Sequence, residues 1–274
     1  MIEKDSQLKK LQKSLTEILK EVDRVCRKNN ISYILVGGTL LGAKRHEGFI
    51  PWDDDLDIAM LREDYLRFEK IAPTELKNEL YFRNFHTDSD YYLPFGKVCK
   101  RGTSYITELD SENTANNEIF IDIFPLDYAY KEQSFFQKVQ AVAVKGLKAV
   151  IIRKKKMNVK STSLAVRIMQ IIFTPFSTKT LMKWQENIMC FNTDSSSRYI
   201  VNNGSNYSYI KQTMPREIYF PTGEMRFEDG LFQVPRDTEY YLERIYGEHY
   251  MDLPPVEKRI THNIVCLKLE GEDK

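Results

Sequence analysis

Trp52-Asp53-Asp54-Asp55-Leu56-Asp57-Ile58 is the stretch whose reading decides the fold. Like charges packed this closely repel one another unless a cation neutralises them. The run continues without a break into Ala59-Met60, and the alternation over residues 55–60 reads as a core strand. Side chains on a strand point to opposite faces in turn. Asp55 and Asp57 therefore share one face, while Leu56 and Ile58 point into the core. Two same-face carboxylates about 6–7 Å apart along the backbone can converge on one Mg2+ or on a pair of ions. Mg2+ prefers hard oxygen ligands and completes its shell with water and substrate phosphates. Acidic runs are more often solvated loops, but a loop has no need for an aspartate in this register.

Upstream, residues 32–36 form a short β-rich run that closes on Gly37-Gly38-Thr39, and a helical patch follows over 39–45. Paired glycines let a backbone come close to a phosphate, and the free N–H groups of the next helix bind anions. Gly-Gly also makes ordinary turns. What distinguishes this one is its position, which permits hairpin-like pairing with the acidic strand and makes Gly37, Gly38 and Thr39 candidates for donor binding. Arg45 and His46 lie between the turn and the acidic strand, and either hold a diphosphate or make structural contacts. Trp52 and the Tyr91–Tyr92 pair are candidates for an aromatic cage around a quaternary ammonium. Four scattered histidines argue against a histidine-based metal centre.

Downstream, Ile119-Phe120-Ile121-Asp122-Ile123-Phe124 is a strongly apolar strand with an aspartate in its middle. Such an aspartate is costly unless paired or metal-bound. Asp122 completes the metal site, takes a proton from an acceptor hydroxyl, or pairs with a buried Arg or Lys as a structural bridge. Asp127, beyond Pro125, is expected to cap a turn or a helix. Lys97, in the strand expected over 95–100, either neutralises donor phosphates or faces solvent.

These blocks together resemble the LicD family, which includes bacterial phosphocholine transferases and is similar to the fukutin-type ribitol-phosphate transferases. The signature runs from Gly37-Gly38-Thr39-Leu40-Leu41-Gly42-Ala43 through Arg45-His46 to Gly48-Phe49-Ile50-Pro51-Trp52-Asp53-Asp54-Asp55-Leu56-Asp57. Phe120 to Asp127 resembles the second family block. The third runs from Tyr241-Leu242 through Leu253-Pro254-Pro255 to Lys258-Arg259. The resemblance implies an α+β fold with a nucleotidyltransferase-like mixed-sheet core of the DNA polymerase β type. It implies Mg2+, with Mn2+ as an alternative, on Asp55 and Asp57. It also implies a CDP-alcohol donor such as CDP-choline, a glycan or lipid-linked glycan acceptor (teichoic acid, capsule or lipopolysaccharide precursor), and CMP as the leaving product. Gly38 and Asp55 stand farther apart than the fold usually has them, and the Arg45-to-Trp52 segment between them is taken as donor-site architecture. The expected machinery is thus Asp55, Asp57 and Asp122 as catalytic and metal-binding residues. Gly37, Gly38, Thr39, Arg45, His46, Trp52 and Lys97 are expected to bind substrate. The rival readings are a nucleotidyltransferase using an NTP on a small molecule, and a non-catalytic nucleotide-binding relative.

The composition, 42% hydrophobic and 29% charged, is that of a globular domain rather than a disordered chain. A net charge of +1 gives no reason to expect nucleic-acid binding. The charge is uneven. Residues 133–185 carry eleven Lys or Arg and no Asp or Glu, so the other 29 basic residues face all 39 acidic ones. This segment is also apolar and reads as helices over 132–157, 161–174 and 178–191. Cationic helices with apolar faces suit an anionic membrane surface, and equally a helical subdomain with solvated lysines. The expected organisation is a catalytic core over 1–130 opening on an amphipathic helix at 5–29, a basic helical insertion over 131–192, and a segment over 193–274 that completes the core. Further expectations are a helix at 62–71, strands at 80–85 and 104–106, and, in the last eighty residues, loops with one helix at 237–246 and a strand near 264–267. Scattered cysteines (Cys26, Cys99, Cys190, Cys266), no apolar leader and no long apolar run point to a cytoplasmic protein, peripheral on the inner membrane face at most.

Overall fold

The structure, a computed structural model, describes residues 2–107, 117–130, 134–155, 164–259 and 264–269. Helix α1 (Ile2–Lys28) buries Leu11, Leu15, Ile18, Leu19 and Val22 completely or nearly so, because their three- and four-residue spacing places them on one face. It gives way to Asn30, whose left-handed backbone ends the helix. Strand β1 (Ile34–Leu35), helix α2 (Gly37–His46), strand β2 (Asp57–Leu61) and helix α3 (Arg62–Glu75) follow. Next come β3 (Leu80–Arg83), β4 (Gly96–Lys100), β5 (Ser104–Thr107) and the long β6 (Ile119–Ala129). The basic segment holds α4 (Phe135–Lys154), α5 (Leu164–Phe173) and α6 (Thr178–Met189). Ser134 and Ser177 cap α4 and α6 by accepting the N–H groups of Gln137 and Thr180. The chain closes with β7 (Tyr199–Val201), α7 (Tyr209–Gln212), β8 (Thr213–Pro215), α8 (Arg216–Tyr219), the pair β9 (Gly223–Phe227) and β10 (Gly230–Val234), α9 (Thr238–Tyr246) and β11 (Ile264–Lys268).

Helices and strands of both kinds divide between two compact units. The first comprises Met1–Phe82, Lys97–Ile123 and Ile218–Lys274. Its sheet runs β1-β2-β6-β4-β3. β1 and β2 are antiparallel, with Ile34 opposite Ala59 and Leu35 opposite Ile58, so the expected hairpin-like pairing of glycine turn and acidic strand is present. β5 pairs with β11, and β9 with β10. The second unit comprises Arg83–Gly96 and Phe124–Glu217. There the end of β6 pairs with β7, and β7 with β8. Helices α4 and α6 bury Leu147, Val150, Ile151, Leu181 and Met182 against one another. Within the basic run, residues 131–133 and 156–163, with Lys156 and Lys160, lie outside the described residues.

Two expectations are corrected. Asp127 stands at neither a turn nor a helix start: it lies within β6, is 1% exposed, and stands 3.6 Å from the Cys190 thiol. The strand continues past Pro125, and its register with β7 begins only at Asp127, so the proline's missing N–H is not required there. Residues 223–234 are not a loop but a hairpin, whose turn at Glu228 has φ 54°. The hairpin is tied to α1 by ion pairs of Lys20 with Asp229 at 2.6 Å and Arg27 with Glu224 at 2.8 Å.

That hairpin also fixes the loop leading to the acidic run. The Glu228 N–H donates to the Glu47 carbonyl at 2.7 Å, and its carboxylate accepts the Phe49 N–H at 2.9 Å. Beneath this loop a Cβ on Gly42 would stand 2.4 Å from the Gly48 carbonyl oxygen. In an open helix Gly→Ala stabilises. Here it must displace a backbone held by the Glu228 turn and by α2 itself, so Gly42→Ala is expected to cost about 1–3 kcal/mol in urea denaturation, and a gain would show the loop to be free to shift.

Candidate active site

All the acidic candidates lie in the first unit. Strand β2 begins at Asp57, later than expected, yet the alternation extends ahead of it: Leu56 and Ile58 are buried, Asp55 and Asp57 half-buried. Two backbone bonds position Asp57. Its N–H donates to the Thr39 hydroxyl at 2.8 Å, and its carbonyl accepts the Val36 N–H at 3.2 Å. The buried Thr39 thus holds the acidic strand in place. The Asp122 N–H donates to the Leu56 carbonyl at 2.9 Å, which sets β6 beside the acidic run. On β6, Ile119, Ile121 and Ile123 are fully buried, and Phe120 and Asp122 occupy the other face. Asp54 is apart from this group: it is 2% exposed and accepts the Tyr105 hydroxyl at 3.1 Å.

The crowding has an electrostatic signature. The Asp57 carboxyl is pushed well above the usual carboxylate range, first by burial, then by the charges of Asp55, Asp122 and Asp53. Lys97 acts in the opposite direction. Its ammonium is 2.8 Å from Asp122 and lies over the Phe120 ring at 3.1 Å from the centroid. Lys97 therefore faces the carboxylates and not solvent, and Asp122 forms the bridge to a lysine that was one of its three expected roles.

The glycine turn also faces this cluster. Gly37 is left-handed (φ +57°), and a Cβ on it would sit 3.2 Å from a carboxylate oxygen of Asp57; a Cβ on Gly38 would sit 2.8 Å from one of Asp53. The glycines let the start of α2 approach two carboxylates, where its dipole favours negative charge.

Arg45, His46 and Trp52 form a second group. Arg45 donates to the carbonyls of Tyr250 and Asp252, both at 3.1 Å, and through Nε to His46 Nε2 at 3.0 Å. These are structural contacts. The Arg45 pKa is lowered by burial and by the nearby Arg259, and that of His46 by burial and by Arg45. The Arg259 guanidinium lies over the Trp52 ring, 4.7 Å from its centroid. Arg259 and Asp53 were absent from the expected site. Asp53 was visible as a member of the acidic run, and Arg259 as the end of the third sequence block. Tyr91 is buried in the second unit with Arg83 over its ring, and Tyr92 packs on that unit's apolar core.

The donor chemistry fits a divalent metal ion: Asp53, Asp55, Asp57 and Asp122 offer hard carboxylate oxygens, and the charges of the other three act on Asp57. Among the described residues no three His, Cys, Asp or Glu side chains form a ready-made metal cage. Mg2+ requires none, since it commonly binds one or two carboxylates and takes the rest of its shell from water and phosphate.

The family model described as LicD/FKTN/FKRP, nucleotidyltransferase domain, matches residues 30–158, which include every carboxylate of this site. The chain is 30% identical over 252 residues to the lipopolysaccharide cholinephosphotransferase LicD of Haemophilus influenzae, spanning 90% of this chain and 92% of that protein. Over 113 residues it is 36% identical to the human and 28% identical to the mouse ribitol 5-phosphate transferase FKRP, spanning 41% of this chain and 20% of each of those proteins.

Proposed function

Because the chain belongs to the LicD family, we propose that it is a phosphotransferase that moves a phospho-alcohol, phosphocholine first among them, from a CDP-activated donor to a hydroxyl of a cell-surface glycan. The family's domain is described as a nucleotidyltransferase, which supports reading the core as nucleotidyltransferase-like, of the DNA polymerase β type. The names of the relatives span two alcohols, choline and ribitol, and one glycan acceptor, lipopolysaccharide. Their shared chemistry is transfer of a phosphorylated alcohol. For this chain the acceptor class then covers lipopolysaccharide, teichoic acid and capsule precursors. The observation that carries the reading is the convergence of Asp53, Asp55 and Asp122 on Asp57, with Lys97 as the neighbouring cation.

In the proposed reaction the acceptor oxygen attacks the phosphorus that carries the alcohol. The bond from that phosphorus to the bridging oxygen breaks, and CMP leaves. Asp55 and Asp57 would hold Mg2+ or Mn2+, with Asp122 either completing the set or taking the acceptor proton. When bound, the cation supplies neutralisation of the phosphate oxygens and of the charge that grows on CMP. Lys97 supports the ionised form of Asp122, which both roles require. Thr39 fixes the Asp57 backbone, and Gly37 and Gly38 keep the approach to the carboxylates open. Arg45 and Arg259 would provide positive charge beside Trp52 for the donor phosphates, with His46, whose Nε2 accepts the Arg45 Nε–H, holding the guanidinium in place. Most of the rate then comes from positioning and charge stabilisation.

Calorimetric titration of the protein in Mg2+ with CDP-choline, CDP-ribitol, CDP-glycerol and CTP tests the donor without an acceptor. Selective, Mg2+-dependent binding of one CDP-alcohol is expected. Preference for CTP would indicate a nucleotidyltransferase acting on a small molecule, and no binding of any of the four would indicate a non-catalytic relative.

A further inference from the structure

The second unit carries a surface that the transfer chemistry does not use. On α4, Phe135, Val139 and Val142 recur at i, i+4 and i+7, so they share a stripe. Phe135 is 74% exposed and Val142 61%. The stripe continues to Gly146, where a Cβ would collide with the Met169 side chain of α5. Helix α5 therefore lies along the same face of α4. It presents Ile168, Ile171 and Ile172 outward, with Ile171 76% exposed. Between α4, α5 and α6 is a groove of about 280 Å3 lined by Leu147, Met169, Phe173, Trp184 and Ile188.

Apolar exposure on this scale marks an interaction surface, and the charge around it identifies the partner. Residues 133–185 contain eleven cations and no anion. Lys138, Lys145, Lys179 and Lys183 are exposed on these same helices. A second copy bringing up the same face would meet like charge, whereas an anionic surface with hydrocarbon beneath it matches both features. Among the described residues no helix is long and apolar enough to cross a membrane, which suits helices lying on a bilayer.

We propose that the face formed by α4, α5 and α6 docks on an anionic lipid bilayer, with its isoleucines and phenylalanines entering the headgroup boundary and the groove receiving lipid hydrocarbon. This goes beyond the transferase reading and stands without it.

The test is co-sedimentation of the full chain with phosphatidylglycerol or phosphatidylcholine vesicles, with no donor present. Binding is expected to be at least about tenfold tighter to phosphatidylglycerol and to weaken with salt. The double variant Ile171→Glu/Ile172→Glu should abolish it, with circular dichroism and melting temperature unchanged. Lys138→Gln, Lys179→Gln and Lys183→Gln, at exposed positions, should each weaken it about fivefold. Equal or absent binding to the two vesicle types would overturn the proposal. So would self-association of the wild-type chain, measured by light scattering, that the isoleucine variant abolishes.

Discussion

Asp57→Asn is expected to lower transfer by about a hundredfold to a thousandfold or more while raising the melting temperature of the metal-free protein. Both effects have one cause. Burial and the charges of Asp55, Asp122 and Asp53 oppose the ionised form of the Asp57 carboxyl. A carboxyl whose folded pKa lies above its unfolded value binds its proton more firmly in the folded state. The stability it contributes is therefore complete at low pH and is lost as pH rises through its folded pKa. Asparagine keeps the shape and removes that loss, so the variant's melting temperature should decline less as pH rises from the acid range toward neutrality. Mg2+ should reverse the order of stability. A ligand that binds only the folded state raises its stability by mass action, so Mg2+ should raise the wild-type melting temperature and leave that of Asp57→Asn nearly unchanged. Scanning calorimetry with and without Mg2+ separates these outcomes. A variant that melts lower than wild type in the absence of metal would show that the carboxylate serves the fold and not the site.

The acidic strand could be read from the sequence because a strand's alternation is local: once Leu56 and Ile58 are inside, Asp55 and Asp57 must be outside. The amphipathic first helix was legible for the same reason, since its buried stripe is written in its own spacing. What escaped depends on contacts between distant segments. The hairpin of β9 and β10 carries a signal in Asp229-Gly230 flanked by short alternating runs, but its turn falls at Glu228–Asp229, one residue earlier. Its function, bracing the Phe49 loop, rests on a bond across 179 positions. The role of Arg45 rests on carbonyls more than 200 positions away, and nothing in residues 45–46 indicates them. For Lys97 the local pattern indicates a strand position and leaves its orientation, toward the carboxylates or toward solvent, open. The order of β4 beside β6 decides between them, and sheet order is set by the whole chain.

Lys97→Met is therefore the more demanding test of the site. The lysine and Asp122 are 13% and 16% exposed and 2.8 Å apart. If Lys97 were an ordinary surface lysine, its loss would change stability by less than about 0.5 kcal/mol. As the cation paired with Asp122 at 2.8 Å, its removal takes away a counter-charge in a part-buried group of carboxylates, and the expected cost is about 3 kcal/mol, the lower end of the range for breaking a buried pair. Asp122→Asn added to Lys97→Met should recover most of that cost, because the neutral amide no longer needs a counter-charge, and the double-mutant cycle isolates the pair from the loss of lysine packing over Phe120. Additive effects in the cycle would mean that the two side chains are neighbours without being partners. Mg2+ provides the decisive comparison. On the proposed reading the lysine and the metal ion would neutralise the same negative charge, so the protein without Lys97 should gain more melting temperature from Mg2+ than wild type does. Turnover should nevertheless fall, since the metal ion cannot at once replace the lysine beside Asp122 and serve the donor phosphates.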